Sequence, residues 1–147
     1  MDAQTLAERV VARMYDNDPF SLRMGMVRSE LGAGRCVLRM KVTNEMLNGF
    51  GIAHGGITYS LADSCLAFAS NSHGIQAVSV ETSIAHTRPV KEGELLTATA
   101  TELERSRRFG RYDVRVTDSD NKTVALFRGT VFRTGKPWFP ELTPSEE

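Results

Sequence analysis

One segment of the sequence, which follows His54-Gly55-Gly56 and stops near residues 71–74, is apolar on nearly every face of the helix that its spacing predicts. Ile57, Leu61, Cys65 and Phe68 recur at helical intervals, and alanines occupy the faces between them. A helix with this pattern is typical of a protein interior. Because one buried helix has to be covered from several sides, the pattern predicts a concave sheet that wraps around it.

Two features of this helix indicate chemistry as well as packing. Asp63 lies in its middle, where an ionised carboxylate is costly unless it is paired or used. Gly55 and Gly56 lie at its entrance, although each glycine costs about 1 kcal/mol relative to alanine in a helix. Glycines there leave the first backbone N–H groups, at the positive end of the helix dipole, open to a ligand. One segment thus offers backbone N–H groups that can bind an oxygen, and it also offers a carboxylate. These two features suit a reaction at a carbonyl group.

Alternating apolar and polar residues predict antiparallel strands before and after the central helix. The expected order is a short helix at about 2–16, a chain break at Asp18-Pro19, a strand hairpin that turns at 32–34, the central helix and four further strands. Those strands are predicted at 77–87, 95–104, 112–117 and 123–133. The fold class is therefore α+β, with a curved antiparallel sheet around one long helix. Residues 135–147, rich in proline and acid, are expected to form a loosely ordered tail.

Composition limits the class of protein and its partners. The 147 residues carry 18 basic and 18 acidic side chains, so we expect a single domain without a nucleic-acid partner. No run of about 20 apolar residues predicts a membrane span, and no signal peptide is visible at the N-terminus. Cys36 and Cys65 are expected to be buried free thiols of a cytoplasmic protein. Three scattered histidines and no C-x-x-C pair predict no metal site.

Several motifs, taken together, resemble one known family. They are H-G-G-x-x-x-x-L-A-D from His54, A-S-N-S-H-G, A-V-S-V-E-T-S-I-A-H-T-R-P, G-E-L-L-T-A-T-A, G-R-Y-D-V-R-V and V-A-L-F-R-G-T. This set, which spans about Met24 to Arg133, resembles the hotdog-fold thioesterases. It is most similar to the PaaI-like branch, which includes phenylacetyl-CoA thioesterases. The resemblance implies a hotdog fold and hydrolysis of acyl-CoA thioesters without a metal or an organic cofactor.

The resemblance also implies roles for individual residues. Gly55 would supply the N–H that polarises the thioester carbonyl, and Asp63 would be the nucleophile or the general base. Asn48 would orient the attacking water or the carboxylate, unless it only closes the loop through an Asx turn. Ser79 could hold the water or simply face solvent. His54 is expected to shape the loop, because a cationic imidazole at a helix start opposes the helix dipole.

The arginines near 105–111 have two interpretations. They could bind an anionic ligand, or they could be solvent-exposed charges on a turn. Guanidinium groups suit phosphates, and coenzyme A carries several. The candidates for substrate and CoA binding are Gly56, Arg88, Lys91, Arg107, Arg108 and Gly110. Of these, Gly56 is expected mainly to let the start of the helix pack closely against the sheet.

The expected substrate class is a small, aromatic acyl-CoA, with phenylacetyl or hydroxyphenylacetyl groups implied by the resemblance alone. Candidates for the acyl pocket, which could equally be core, are Phe50, Ile52, Tyr59, Leu66 and Phe68. The alternatives are a thioesterase for another acyl class and a non-catalytic acyl-CoA binding or sensing protein. A hotdog hydratase would need a differently spaced Asp–His motif, which the sequence lacks.

The spacing of the two main candidates predicts more than one chain per active site. Asp63 follows Gly55 by eight residues, or about 12 Å along a helix. Its side chain reaches only about 2–3 Å back toward the helix start. A carbonyl group held by Gly55 is then too far from Asp63 of the same chain. An antiparallel helix from a two-fold partner removes this difficulty, so we expect a homodimer with shared sites. The resemblance implies that two such dimers form a homotetramer.

Overall fold

The computed structural model describes residues 1–142 and contains three α-helices and six strands in that range. The helices are α1 (Ala3–Asp16), α2 (Pro19–Arg23) and α3 (Gly55–Asn71). The strands are β1 (Val27–Gly32), β2 (Arg35–Lys41), β3 (Ile75–His86), β4 (Leu95–Arg105), β5 (Phe109–Thr117) and β6 (Thr123–Pro137). Across the described part of the chain, the helices are too short or too polar to span a bilayer.

All six strands belong to one antiparallel sheet with the order β1-β2-β4-β5-β6-β3. The chain makes a meander from β4 to β6, while β3 crosses over to lie at the far edge. This edge strand pairs along its length with β6, from Ala77 opposite Arg133 to His86 opposite Ala125. Its other side faces no strand within residues 1–142, so β3 offers a row of open backbone groups.

The core forms between α3 and one face of the sheet. Leu61, Cys65 and Phe68 of α3 are buried, together with inward-facing side chains of the strands such as Leu38 and Val114. α3 packs against β2, β3, β4, β5 and β6. One long helix on an antiparallel sheet is the hotdog architecture, and the fold class expected from the sequence is confirmed.

Within residues 1–142, one face of α3 is not covered by the sheet, contrary to the expectation that the sheet would hide every face. Gly56 is exposed, and Ser60, Asp63, Ser64 and Ala67 are only half-buried. The reason is geometric, since an open six-stranded sheet encloses a helix from one side only. We call these five residues the open face of α3.

The structure contains one helix that was not predicted, and two strands are longer than predicted. α2 was not predicted, because Asp18-Pro19 was interpreted as a break. Asp18 instead caps this helix by accepting a hydrogen bond from the backbone N–H of Ser21 (2.9 Å), and Pro19 occupies the first helical position. β5 starts at Phe109, three residues before its predicted start, and β6 continues four residues past its predicted end.

Residues 135–142 are not the loosely ordered tail that their composition predicts. β6 continues to Pro137, and the backbone N–H of Trp138 donates to the carbonyl oxygen of Gly74 (2.8 Å). The indole of Trp138 donates to Oδ1 of Asn71 (2.9 Å), so this segment is held against the end of α3. Residues 143–147, the rest of the expected tail, lie outside the described residues.

Asn71 joins three segments that are distant in sequence. Its side chain is buried, and Oδ1 accepts hydrogen bonds from the backbone N–H of Ala77 (2.9 Å) and from the indole of Trp138 (2.9 Å). Nδ2 donates to the carbonyl oxygens of Ala67 (2.8 Å) and Ala77 (3.0 Å). One amide therefore connects the end of α3, the start of β3 and the segment after β6.

We expect Asn71→Ala to lower the free energy of unfolding by about 2–4 kcal/mol, because it leaves buried partner groups without hydrogen bonds. Trp138→Phe removes one donor and leaves the other three bonds, so it should cost only about 1 kcal/mol. For a chain of this size each kcal/mol lowers Tm by roughly 2–4 °C. Thermal melting of both variants measures the difference, and equal Tm values for Asn71→Ala and wild type would contradict the structural role of Asn71.

Candidate active site

A glycine-rich loop leads into α3 and is closed by Asn48. Oδ1 of Asn48 accepts hydrogen bonds from the backbone N–H groups of Phe50 (2.9 Å) and Ile52 (3.4 Å). The backbone N–H of Asn48 donates to the carbonyl oxygen of Ile52 (2.8 Å). The Asx-type turn that was left open as an alternative is therefore present. The Nδ2 group makes no hydrogen bond to residues 1–142, and orienting the attacking group stays a prediction for it.

His54 caps the start of α3. Its Nδ1 accepts a hydrogen bond from the backbone N–H of Gly56 (2.8 Å), which requires an unprotonated Nδ1. A Cβ on Gly56 would lie 3.0 Å from that nitrogen, so the close contact of Gly56 is with the His54 ring. The expected close packing of Gly56 against the sheet is not what the structure shows at this residue. The cap occupies the second N–H of the helix. The first one, on Gly55, donates to no acceptor in the described residues and is available for a substrate oxygen.

Two residues that the sequence did not single out surround Gly55. His86, the last residue of β3, places Nε2 3.3 Å from the position of a Cβ on Gly55. Its Nδ1 lies 3.2 Å from Oγ1 of Thr58, and that hydroxyl donates to the carbonyl oxygen of Gly55 (3.1 Å). Thr58 could have been identified from its position three residues after Gly55, on the same side of the helix. The position of His86 depends on how β3 lies against α3, which no local pattern reports.

Asp63 lies on the open face of α3 without a hydrogen bond or an ion pair to any of residues 1–142. Burial raises the pKa of its carboxyl above the ordinary value, because the charged form loses hydration without gaining a partner. Within residues 1–142 the carboxylate therefore does not cap a neighbouring backbone group, which is the ordinary structural role of a buried aspartate. A carboxylate with a raised pKa is a stronger base than an ordinary aspartate.

Two clefts meet at Asp63. The first, which we call the aromatic cleft, has a volume of about 650 Å³ and is lined by α1, α2, α3 and Trp138. Its large side chains are Met14, Phe20, Phe68 and Trp138. The second, which we call the strand cleft, has a volume of about 410 Å³ and lies between α3 and the start of β3. Ser79 lines it together with Asp63, so the structure brings these two predicted residues to one cavity.

The residues expected to form an acyl pocket divide between different places. Leu66 and Phe68 are buried in the core and also reach the clefts at Asp63. Tyr59 packs edge-on against Phe127 and hydrogen-bonds to Thr82, which places it in the core near the sheet. Phe50 is 90% exposed at the tip of the loop before α3. Met14, Phe20 and Trp138 were not predicted, because their segments were assigned to a helix stripe, a chain break and a loose tail.

Gly55 and Asp63 are not brought together within one chain. They occupy the first and ninth positions of an uninterrupted helix, Gly55–Asn71, so the separation of about 12 Å applies. Neither of the two clefts at Asp63 includes Gly55, His54 or Asn48. The described chain thus presents two separate candidate features, an open backbone N–H at the start of α3 and a carboxylate in its middle.

The predicted CoA-binding residues lie at opposite ends of the sheet. Arg88 and Lys91 follow β3 beside the loop before α3, where the backbone N–H of Ala53 donates to the carbonyl oxygen of Val90 (2.8 Å). Arg107 and Arg108 lie in the β4–β5 turn, at the end of the sheet where β3 begins. Their side chains are exposed, so binding of phosphates stays a prediction for all four.

The β4–β5 turn is held by its backbone. The backbone N–H of Arg133 donates to the carbonyl oxygen of Arg108 (2.7 Å), and the guanidinium of Arg133 donates to that of Ser106 (2.9 Å). Gly110 is buried there, and a Cβ on it would lie 3.0 Å from the ring of Tyr112 and 3.2 Å from Val131. Close packing therefore explains this glycine, and its contact with CoA stays a prediction.

Comparison with known proteins gives consistent results. The family described as "Thioesterase superfamily" matches residues 50–125. The acyl-coenzyme A thioesterase PaaI of Escherichia coli (strain K12) is 41% identical over 122 residues, which cover 83% of this chain and 87% of that protein. The solved structure of the E. coli PaaI protein from the phenylacetic acid degradation operon has a TM-score of 0.90 at 38% identity, covering 92% of this chain and 99% of its own.

A more distant structure is similar over the same core. It is a hypothetical thioesterase of Streptococcus pneumoniae, solved with coenzyme A, and it has a TM-score of 0.74 at 28% identity. The match covers 76% of this chain and 88% of that protein. The family resemblance read from the sequence motifs is confirmed by these comparisons.

The raised pKa of Asp63 predicts how a variant changes stability with pH. The folded chain binds this proton more tightly than the unfolded chain, so ionisation costs stability as pH rises through the folded-state pKa. We expect Asp63→Asn to melt at a higher temperature than wild type near pH 8. The difference should shrink below about pH 4, where the wild-type carboxyl is protonated in both states.

Thermal melting between pH 3 and pH 8 measures this difference, with Asp120→Asn on the exposed β5–β6 turn as the matched control. A destabilised Asp63→Asn variant near pH 8, with the loss disappearing at low pH, would mean that the carboxylate has a stabilising partner and would contradict the description above.

Proposed function

The chain belongs to the thioesterase superfamily and is a thioester hydrolase, and from this premise we propose that it cleaves small aromatic acyl-CoA thioesters to the free acid and CoA. The observation that carries the proposal is the Asp63 carboxylate, which has a raised pKa, no partner in residues 1–142 and an aromatic cleft beside it. We propose phenylacetyl or hydroxyphenylacetyl as the acyl group.

The proposed reaction uses two elements, the N–H of Gly55 and the carboxylate of Asp63. The thioester carbonyl oxygen accepts a hydrogen bond from Gly55, which polarises the carbonyl group. Asp63 then removes a proton from a water that attacks the carbonyl carbon, or attacks directly to give an anhydride that water hydrolyses. In both routes the C–S bond breaks and CoA leaves as the thiolate. One preorganised N–H at the oxyanion is worth on the order of 3 kcal/mol, and no metal or organic cofactor is required.

We place each active site between two chains. The separation of Gly55 from Asp63 along α3 requires a second chain to complete the site. Two surfaces support such pairing, the open face of α3 and the unpaired edge of β3. Val78 and Val80 on that strand are exposed apolar residues, and burial against a second copy would stabilise the dimer. A homotetramer made of two such dimers is part of the proposal.

The aromatic cleft supports the proposed acyl group. Its volume of about 650 Å³ lies in the range typical of small-molecule sites. Phe20, Phe68 and Trp138 give it several aromatic surfaces, which suit edge-to-face packing with a phenyl ring. The E. coli relative named above comes from a phenylacetic acid degradation operon, which agrees with this choice.

Antiparallel pairing of two β3 edges would also collect the predicted CoA-binding residues. In one chain Arg88 and Arg107 lie at opposite ends of the sheet, but a two-fold partner is inverted. The Arg107–Arg108 turn of one chain would then lie at the same end of the joined sheet as Arg88 and Lys91 of the other. We propose that these four side chains contact the phosphates of CoA.

Release of free thiol from a panel of acyl-CoAs tests the proposed function. We expect wild type to hydrolyse phenylacetyl- and hydroxyphenylacetyl-CoA faster than acetyl- and hexanoyl-CoA. Asp63→Asn should lower kcat by at least about 10²-fold, since the amide cannot accept a proton, while CoA affinity stays nearly unchanged. Asp120→Asn serves as the control with unchanged kcat.

Three results would contradict parts of this proposal. Turnover of Asp63→Asn within a few-fold of wild type would remove Asp63 from the mechanism. Faster turnover of hexanoyl-CoA would remove the aromatic preference. Tight binding of acyl-CoAs without thiol release from any of them would favour the non-catalytic binding protein.

A further inference from the structure

His86 ends β3 with its imidazole against the first turn of α3, at the N–H that the proposed reaction uses. We propose that His86 is a second hydrogen-bond donor to the thioester carbonyl oxygen, and that Thr58 positions its ring. This inference rests on the proposed thioesterase reaction and adds to it a residue that the catalytic set of Gly55, Asp63 and Asn48 does not contain.

Covalent geometry limits the distance between the two donors. Nε2 of His86 lies 3.3 Å from the position of a Cβ on Gly55. A Cβ lies about 2.5 Å from the nitrogen of its own residue, so Nε2 and the Gly55 nitrogen are at most about 6 Å apart. An oxygen that accepts two hydrogen bonds of about 2.9 Å each can bridge that separation. A thioester carbonyl oxygen that accepts from the Gly55 N–H is therefore within reach of His86 as well.

The hydrogen bonds of Thr58 determine which ring nitrogen of His86 carries a proton. The hydroxyl lies 3.1 Å from the carbonyl oxygen of Gly55 and 3.2 Å from Nδ1 of His86, and it has one proton to donate. While Thr58 donates to the Gly55 carbonyl oxygen, its Oγ1 accepts from Nδ1–H of His86. When the hydroxyl turns and donates to Nδ1 instead, the neutral imidazole carries its proton on Nε2, which faces Gly55. An oxyanion at Gly55 favours this tautomer, because only a protonated Nε2 stabilises the negative charge.

Contacts on both sides hold the ring in place. Thr58 is 3% exposed and lies in the first turn of α3, while the backbone of His86 is held by its pairing with Ala125 in β6. The ring fills the space that a side chain at position 55 would need. Gly55 thus leaves room both for the substrate oxygen and for the imidazole next to it.

The role of His86 in the reaction needs no net proton transfer. Addition of the attacking oxygen to the carbonyl carbon moves the π-electron pair onto the carbonyl oxygen. That oxyanion accepts hydrogen bonds from Gly55 N–H and His86 Nε2–H. When it collapses, the C=O double bond re-forms, and the electron pair of the C–S bond leaves with the thiolate of CoA. His86 keeps its proton throughout, so it stabilises charge without acting as an acid.

Three variants test the donor role, with thiol release from phenylacetyl-CoA as the assay. His86→Phe keeps a ring but removes the donor, and it should lower kcat by about 10²-fold, with KM changed less than about threefold. His86→Gln restores an N–H donor and should lose no more than about tenfold. Thr58→Val removes the hydroxyl that orients the ring, so its kcat should fall between wild type and His86→Phe.

Thr87→Val, at the next residue along the exposed chain, is the control and should keep wild-type kcat. A His86→Phe kcat within twofold of wild type would overturn the inference. Equal losses for His86→Phe and His86→Gln would also overturn it, because the shape of the residue and not its donor would then matter.

The same assays separate this inference from the proposed function. If Asp63→Asn is inactive and His86→Phe is fully active, only the role of His86 is refuted. If wild type releases no thiol from any acyl-CoA, the proposed function fails and the role of His86 fails with it.

Discussion

A carboxylate that has no partner among residues 1–142, on a helix whose other faces are largely apolar, is the constraint around which this structure is arranged. Asp63 cannot lie against the sheet, where no partner would offset its lost hydration. It lies instead on the open face of α3, while Leu61 and Phe68 of the same helix fill the core. Partial burial raises the pKa of Asp63, and this makes the carboxylate both costly to stability and more basic. Stability and reactivity thus depend on the same side chain.

The start of α3 has one backbone N–H that is capped and one that is open. His54 caps the N–H of Gly56 with its ring, and the N–H of Gly55 is left for a ligand. The loop before it is fixed by Asn48 and by hydrogen bonds from Ala53 and His54 to neighbouring segments. A donor held this rigidly needs little reorganisation when charge develops on a substrate oxygen.

The parts of the fold that depend on local periodicity could be predicted from the sequence, and those that depend on distant contacts could not. The pattern of α3 and the alternation of the strands determined the α+β architecture. Trp138 looked like part of a loose tail, because its partner Asn71 is 67 residues away in sequence. Phe20 looked like a loop residue, because the preceding Asp18-Pro19 was interpreted as a chain break. The contact of His86 with Gly55 arises from the register of β3 on the sheet, which no motif records.

The claim that each site uses two chains is tested most directly by mixing two inactive variants. Gly55→Pro deletes the N–H while suiting the first helical position, and the extended backbone of His54 (φ −59°, ψ 139°) accepts a following proline. Its partner variant is Asp63→Asn. If Gly55 of one chain works with Asp63 of the other, an equimolar co-refolded mixture should recover about a quarter of wild-type activity, since a quarter of its sites pair two intact residues. A mixture as inactive as its components would show that the site lies within one chain.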